Sequence, residues 1–328
     1  MKAVDIDGAI SPVSGDADSF RENKSGRLRR RRTVNAFDPH YGSAVALAPA
    51  IARLTAPNNG PYTGAGTNTY LLGTERLMVV DPGPADPAHI AAIERAVAGR
   101  PVSHILITHT HRDHVDGLPL LRAAFDAPTV AEGPHRLSRP LRPGETNPFE
   151  ASSDYAFRPD IAVADGALID NGDVAVKAIA TPGHAANHMA FALGEDCLTG
   201  DHVMGWSTTI VAPPDGAMGD YLRSLDRLMG EAHTRYLPGH GDAIAEPHKS
   251  VSAMRSHRLM RERAILERLS LGDEEIAEIV ATLYEGLDPR LVGAAALSVL
   301  AHLEKLAEDG RVAADADGGI DARWRRIG

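Results

Sequence analysis

The sequence contains few of the residues on which several other classes of protein depend. The 328 residues include a single cysteine, Cys197, so no intramolecular disulfide can form, and we expect a reducing, cytoplasmic compartment. Aromatic residues make up only 5% of the chain, and no apolar run approaches the roughly 20 residues that a membrane-spanning helix needs. The N-terminus also lacks the charged-then-apolar order of a secretory signal. We therefore expect neither a membrane span nor a disulfide-stabilised scaffold.

The composition that remains is that of a globular protein with a sizeable core. Apolar residues reach 43%, and the length exceeds that of one typical domain. The net charge of −10 argues against a generic polyanion binder, although a local basic patch is compatible with it. Residues 1–35 are polar and end in an arginine run, so we expect a disordered or loosely attached tail with a solvated charge cluster.

The highest density of reactive side chains follows a short apolar run at residues 105–107. His109, His111, Asp113 and His114 lie within six residues. They cannot share one strand face, because strand side chains alternate, nor one helix stripe, whose neighbours are three or four residues apart. They can converge from a loop at the carboxyl end of a strand, where open α/β sheets place their sites. This pattern predicts a metal-binding loop.

The order His-x-His-x-Asp-His resembles the signature of the metallo-β-lactamase superfamily. The other motifs of that superfamily have candidates in the expected order, and the resemblance covers roughly residues 45–250. They are Asp81 after the strand 77–80, His184 after Pro-Gly, Asp201 after Gly, and His240 in Leu-Pro-Gly-His-Gly. The resemblance implies an αββα sandwich, whereas periodicity alone supports only an α/β fold.

The resemblance also implies a set of metal ligands. His109, His111 and His184 would hold one ion, Asp113, His114 and His240 a second, and Asp201 would bridge both. Imidazole and carboxylate ligands suit two Zn²⁺ ions, and they also suit iron or manganese. Asp81 would either orient a ligand or simply close a strand-end turn, and Asn68 would either hydrogen-bond near the site or cap a turn.

Two adjacent cations would acidify a shared water, and the resulting hydroxide would attack a carbonyl or phosphoryl centre. Asp113 would accept the proton of that water. His188, four residues after His184, has two equally good interpretations, as a substrate-facing proton donor or as a structural histidine. No serine or cysteine nucleophile is required.

Residues 36–247 are predicted to form the catalytic domain and residues 248–328 a small α+β domain of winged-helix type. A long helix at 248–271, a second helix capped by Asp273, a third at 289–308 and a hairpin resemble the lactamase-β-like branch, which has glyoxalase II-like relatives. The third helix is almost entirely apolar and small, so we expect it to cover the core or to form a homodimer, because a DNA-reading helix needs exposed polar side chains.

These expectations define a dinuclear metal hydrolase that acts on an ester, a thioester or a similar centre of a small molecule. The Pro- and Arg-rich loop at 126–160 is the expected place of specificity. The alternative is a single-strand-specific endoribonuclease, and a ligand-sensing winged-helix regulator is least favoured because it need not retain every ligand. RNA cleavage would use a basic groove and stacking aromatics, with candidates Arg136, Arg139, Arg142, Arg255, Arg258, Arg261, Phe149, Tyr155 and Trp206.

Overall fold

The structure, a computed structural model, describes residues 37–315 and 318–327. The tail predicted at residues 1–35 lies outside the described residues. Within those residues no helix combines the length and the apolar character that a bilayer crossing requires.

The first of two large sheets has seven strands in the described residues, hydrogen-bonded in chain order. The first four are antiparallel neighbours, and the later ones are parallel. The strands Leu77–Val80 and Thr129–Ala131 are buried along their whole length, whereas Ile161–Ala162 at the sheet edge is exposed. The strands are β1 Val45–Ala48, β2 Ile51–Thr55, β3 Asn68–Leu72, β4 Leu77–Val80, β5 Val102–Leu106, β6 Thr129–Ala131 and β7 Ile161–Ala162.

The second sheet has five strands in the described part of the chain, in the order β12-β11-β10-β9-β8. β11 and β12 are parallel, and the other pairs are antiparallel. These strands are β8 Leu168–Asp170, β9 Ala175–Ala180, β10 Met189–Leu193, β11 Asp196–Gly200 and β12 Arg235–Pro238.

The two sheets pack face to face around one apolar layer. Leu72, Met78 and Leu106 of the first sheet belong to the same buried cluster as Phe191 and Leu198 of the second. Because facing sheets must each bury one apolar face, this layer fixes the sandwich.

Helices cover the outer faces of both sheets. α1 Pro87–Val97, α2 Arg112–Val115 and α3 Leu118–Ala124 belong to the first half, and α1 and α3 pack on the first sheet. α4 Met218–Met229 and the first part of α5 Pro247–Leu271 pack on the second sheet. The predicted αββα order is confirmed.

The C-terminal part forms a separate core that α5 connects to the sandwich. Val251 and Met254 of α5 pack with the second sheet, whereas Ile265 and Leu269 pack with the C-terminal cluster. That cluster also contains α6 Ile276–Leu283, α7 Val292–Glu308 and the hairpin of β13 Val312–Ala314 and β14 Trp324–Arg326. A short 3₁₀ turn, Pro289–Leu291, precedes α7. The winged-helix order is confirmed, and the domain boundary at 247/248 stays a prediction.

Two local expectations were wrong. Asp273 does not cap α6, because its carboxylate is bound by Arg268 at 2.6 and 2.8 Å. Glu275 is the cap, and it forms a reciprocal capping box with Glu278. The segment 126–160 is not a continuous loop, since β6 adds a strand to the first sheet and residues 150–152 form a 3₁₀ turn.

Candidate metal centre

The predicted ligands meet at one edge of the sandwich because several strands end there. β4 delivers Asp81, β5 leads into the histidine cluster, β11 delivers Asp201 and β12 delivers His240. The connection between β9 and β10 brings His184 to the same edge. Within the described residues, three groups have ligand atoms that all lie within 4.8 Å of one another: His109, His111 and His184; His109, His114 and Asp201; and Asp113, His114 and His240.

In the first group, three imidazole nitrogens face a common point. His111 Nδ1 lies 3.0 Å from His109 Nε2 and 3.0 Å from His184 Nε2. The far nitrogens are held by other partners: His184 Nδ1 donates to the carbonyl of Ile210 at 2.7 Å, and His111 Nε2 donates to Asp215 at 2.7 Å. In a neutral imidazole the nitrogens at the centre then carry lone pairs.

The group of Asp113, His114 and His240, together with Asp201, mixes imidazole and carboxylate. His240 Nε2 lies 3.2 Å from an oxygen of Asp113 and 3.2 Å from one of Asp201. His114 Nε2 lies 3.5 Å from Asp113 and 3.3 Å from Asp201. The outer nitrogen of His114 donates to Asp81 at 2.8 Å, and that of His240 donates to the carbonyl of Gly66 at 3.1 Å. The same orientation of lone pairs toward the centre results.

Burial leaves this arrangement with polar atoms that a cation could satisfy. His114 Nε2 and Asp201 Oδ1 are fully buried, and neither has a hydrogen-bond partner in the structure. Burial opposes a charge on His240, but Asp201 and Asp113 outweigh it and raise the pKa of His240 to about 10. Asp113 and Asp201 likewise hold the pKa of buried His114 well above its usual value. Without a metal, protons therefore occupy the place that a cation would take.

Two members of the first group, His109 and His184, have the opposite electrostatics. Burial and the neighbouring His111 lower the pKa of His184 to about 4. Burial, with His114 and His111 nearby, lowers the pKa of His109 well below its usual value. His109 and His184 are therefore neutral near pH 7, which is the form that binds a metal. His111 differs from them, because burial opposes its charge but the hydrogen bond to Asp215 outweighs burial and raises its pKa.

Asp81 orients the cluster, as expected of a residue behind a ligand. Besides His114, its carboxylate accepts bonds from the backbone N–H of Thr108 at 2.8 Å and from the Thr108 hydroxyl at 2.7 Å. The Thr108 oxygen in turn lies 3.1 Å from His109 Nδ1. One carboxylate thus positions imidazoles of both groups.

Asp215 has the same function for His111, and sequence reasoning missed it. Its second oxygen lies 3.0 Å from Nε2 of His135, a buried residue whose other nitrogen meets Thr110 at 2.8 Å. The signal that the sequence offered was the Pro213-Pro214 pair directly before this aspartate. The distance along the chain from residue 111 to residue 215 hid the contact.

The geometry of His188 favours its structural interpretation. The ring is 1% exposed, its Nδ1 lies 2.8 Å from the Thr181 hydroxyl, and its Nε2 accepts the backbone N–H of Asp201 at 3.1 Å. Both nitrogens are therefore occupied inside the protein, and the ring supports Asp201 from behind.

The side-chain amide of Asn68 holds the loop that carries His240, and the close packing of this loop leaves no room for a side chain at Gly239. Asn68 Nδ2 donates to the carbonyls of Pro238 and Gly241 at 3.0 and 2.9 Å. A Cβ on Gly239 would lie 2.5 Å from Asp201 Oδ1 and 2.9 Å from His114 Cε1. Only glycine fits at this position between the two ligands.

Each of the six arginines predicted to line an RNA groove binds a partner within the described part of the chain, which argues against that groove. These pairs are Arg136 with Glu132, Arg139 and Arg142 with Glu304, Arg255 with Asp226, Arg258 with the carbonyl of Thr209, and Arg261 with the carbonyl of Leu283. Two of the predicted stacking residues contact histidines instead: Phe149 lies on His111, and Tyr155 lies against His135. Trp206 packs against Gly64.

The two-sheet sandwich, with imidazoles and carboxylates gathered at one edge, places the protein in a class of hydrolases that share this fold. The chain belongs to the metallo-beta-lactamase superfamily, whose sequence profile matches residues 62–240. Residues 276–324 match the beta-lactamase associated winged helix domain.

Curated relatives span most of this chain. It is 30% identical over 300 residues to an atrochrysone carboxyl ACP thioesterase of Aspergillus chevalieri, covering 86% of this chain and 88% of that protein. It is 32% identical over 280 residues to a beta-lactamase-like protein 2 homolog of Caenorhabditis elegans, covering 83% and 89%. A solved metallo-beta-lactamase family protein of Thermus thermophilus superposes with a TM-score of 0.69 at 25% identity, covering 86% of this chain and all of that one.

Proposed function

We propose that this hydrolase cleaves thioesters, or chemically similar esters, at a centre that holds two divalent cations. His109, His111 and His184 would bind one cation, and Asp113, His114 and His240 the other. Asp201 would bridge them, because its two oxygens face His114 and His240 at 3.3 and 3.2 Å. This mixed donor set suits zinc, and it also suits iron or manganese.

One observation carries the proposal. Five histidines are each held by an outer partner so that the inner nitrogen presents its lone pair to the cluster. Lone pairs 3.0 Å apart, such as those of His111 and His184, repel one another unless a proton or a metal ion lies between them. Together with the unpartnered His114 Nε2 and Asp201 Oδ1, these residues fit a metal centre.

Two bound cations would supply hydroxide near neutral pH and stabilise negative charge that develops on the substrate oxygen. Asp113 is the most exposed of the seven side chains, at 29%, so it faces the space where a substrate enters. The Thr67 hydroxyl donates to its Oδ2 at 3.0 Å and fixes its orientation. Asp113 would accept the proton of the attacking water and deliver it to the leaving group.

The relatives support a thioester over other substrates. The Aspergillus protein is named as a thioesterase acting on an acyl carrier protein, and the match spans most of both chains. Four of the six arginines pair with carboxylates, and the other two donate to carbonyls inside the protein, which argues against the basic groove that a ribonuclease would use. A cytoplasmic location is part of the proposal, and the buried free thiol of Cys197 is compatible with it. The homodimer stays a prediction.

The experiment follows release of N-acetylcysteamine from its acetyl thioester by zinc-loaded protein, with a labelled single-stranded RNA as a second substrate. Asp113→Asn tests the proton acceptor, and Asp116→Asn is its matched control, since Asp116 pairs with Arg112 outside the cluster. We expect zinc-dependent thiol release that falls about 100-fold or more in Asp113→Asn and persists in Asp116→Asn. Cleavage of the RNA alone would replace this proposal with the ribonuclease alternative.

A further inference from the structure

A cavity of about 940 Å³ lies between the sandwich and the C-terminal helices. One wall is formed by the segment 142–152 with Pro213, and the opposite wall by the start of α7 and by residues 319–322. We propose that this cavity binds the acyl group of the substrate and selects one that is bulky and uncharged. The inference rests on the thioester hydrolysis proposed above.

The cavity adjoins the metal centre, since two segments of its lining lead to contacts with His111. Phe149 lines the cavity, and its ring stacks on His111 with 6.2 Å between centroids and 27° between planes. Pro213 lines it as well, and two residues later Asp215 binds His111. An acyl group whose carbonyl lies at the centre therefore extends past Phe149 into this space.

The size and lining match an apolar group. Small-molecule sites have volumes of roughly 300–1,000 Å³ and are lined mostly by apolar side chains. Pro148 and Phe149 face Ala294, Leu297 and Leu300 of α7 across the cavity. An acetyl group would leave most of this apolar surface in water, whereas a bulky acyl group would bury it.

The charges of the cavity lining disfavour binding of a negatively charged thiol carrier in the cavity. Among the described residues of the lining the cations are Arg142 and Arg290, and both are already paired. Arg142 binds Glu304 at 2.6 Å, and Arg290 binds Asp288 at 2.7 Å. Of the carboxylates in the lining, Glu145 is bound by Arg139, so the remaining charges are those of Asp315 and Asp321. A phosphate- or carboxylate-bearing thiol carrier would be repelled here, so the cavity fits the acyl side of the thioester.

The two walls are fastened together, so the cavity is formed before substrate binds. Arg139 binds Glu304 of α7 at 2.8 Å and Glu145 at 2.6 Å, and Arg142 binds the same Glu304. These side chains are only 15–21% exposed, which strengthens such pairs relative to surface ones. The C-terminal module thereby acts as a wall of the substrate site.

The test compares two N-acetylcysteamine thioesters, acetyl and 2-naphthoyl, in kcat/KM. Leu297→Trp fills the cavity from α7, and Val292→Trp adds the same bulk at a position of that helix that is 44% exposed and outside the lining. Binding of neutral 2-naphthamide, followed by its fluorescence, is measured on the same proteins. Thermal unfolding verifies that each variant is folded, and Leu297→Phe replaces Leu297→Trp if that variant is not.

We expect the naphthoyl thioester to be preferred, and the naphthoyl-to-acetyl ratio to fall roughly tenfold or more in Leu297→Trp but to persist in Val292→Trp. An equal ratio in wild type and Leu297→Trp would overturn the inference and leave thioester hydrolysis intact. Absence of any thioester hydrolysis would overturn the proposed function. Naphthamide binding would then test the acyl-binding role of the cavity independently of hydrolysis. Binding that is lost only in Leu297→Trp supports this role, and no binding to the wild type contradicts it.

Discussion

Oδ2 of Asp81 lies 2.8 Å from Nδ1 of His114, while the opposite nitrogen of the same ring has no hydrogen-bond partner. The carboxylate therefore fixes both the tautomer and the direction of the imidazole. Asp81 adopts a positive φ of 51°, a conformation that non-glycine residues rarely take. The backbone strain is maintained because the three hydrogen bonds to this carboxylate are buried together.

Asp81→Asn should weaken zinc binding about 10- to 100-fold, because an amide cannot accept from His114 and both Thr108 donors at once. Zinc affinity is measured by competition with a chromogenic chelator. Asp86→Asn is the matched control, because Asp86 accepts the N–H of Ala88 at the start of α1, and asparagine caps a helix equally well. Equal zinc affinity in both variants would contradict the role of Asp81.

Gly239→Ala should abolish stable binding of both metals, since the added Cβ would displace Asp201 and His114. Gly133→Ala is the comparison, because a Cβ there meets no atom within 4 Å. Metal content after gel filtration is the measurement. Full metal retention by Gly239→Ala would show that the two ligands lie farther apart than the structure places them.

The unfolding free energy should decrease as the pH is lowered from about 6.5 to about 4, in part because of His89. Burial lowers the pKa of His89 to about 4, so between these values the unfolded chain binds a proton that the folded protein excludes. The contribution is on the order of 3 kcal/mol. Urea unfolding of wild type and His89→Gln across this pH range gives the unfolding free energy of each protein as a function of pH. An identical pH dependence in the two proteins would refute the contribution of His89.

Arg258→Met should lower the unfolding free energy by about 2–4 kcal/mol, because a nearly fully buried guanidinium that donates to the carbonyl of Thr209 is lost. Thr209 precedes Ile210, whose carbonyl holds His184, so zinc affinity should fall as well. Arg255→Met, at an exposed pair with Asp226, should change stability by about 0.5 kcal/mol or less. Equal effects of the two substitutions on urea unfolding would contradict this.

The residues of the cluster were predictable because their motifs are local and each follows a strand. His109 to His114 occupy one loop, and Pro-Gly or Leu-Pro-Gly turns introduce His184 and His240. The residues that support them could not be predicted, because contacts such as that of His111 with Asp215 join segments that are distant in the chain. Arg142 illustrates the same limit: its charge suggested a basic groove, but its partner Glu304 lies 162 residues away.

The central claim is that the seven residues bind two cations, and zinc content per chain tests it most directly. Protein incubated with zinc and dialysed is analysed by inductively coupled plasma mass spectrometry, beside Asp201→Ala. The account predicts two zinc ions per wild-type chain and a loss of at least one in Asp201→Ala, because Asp201 faces both groups. A wild-type chain that retains no zinc, iron or manganese would contradict it.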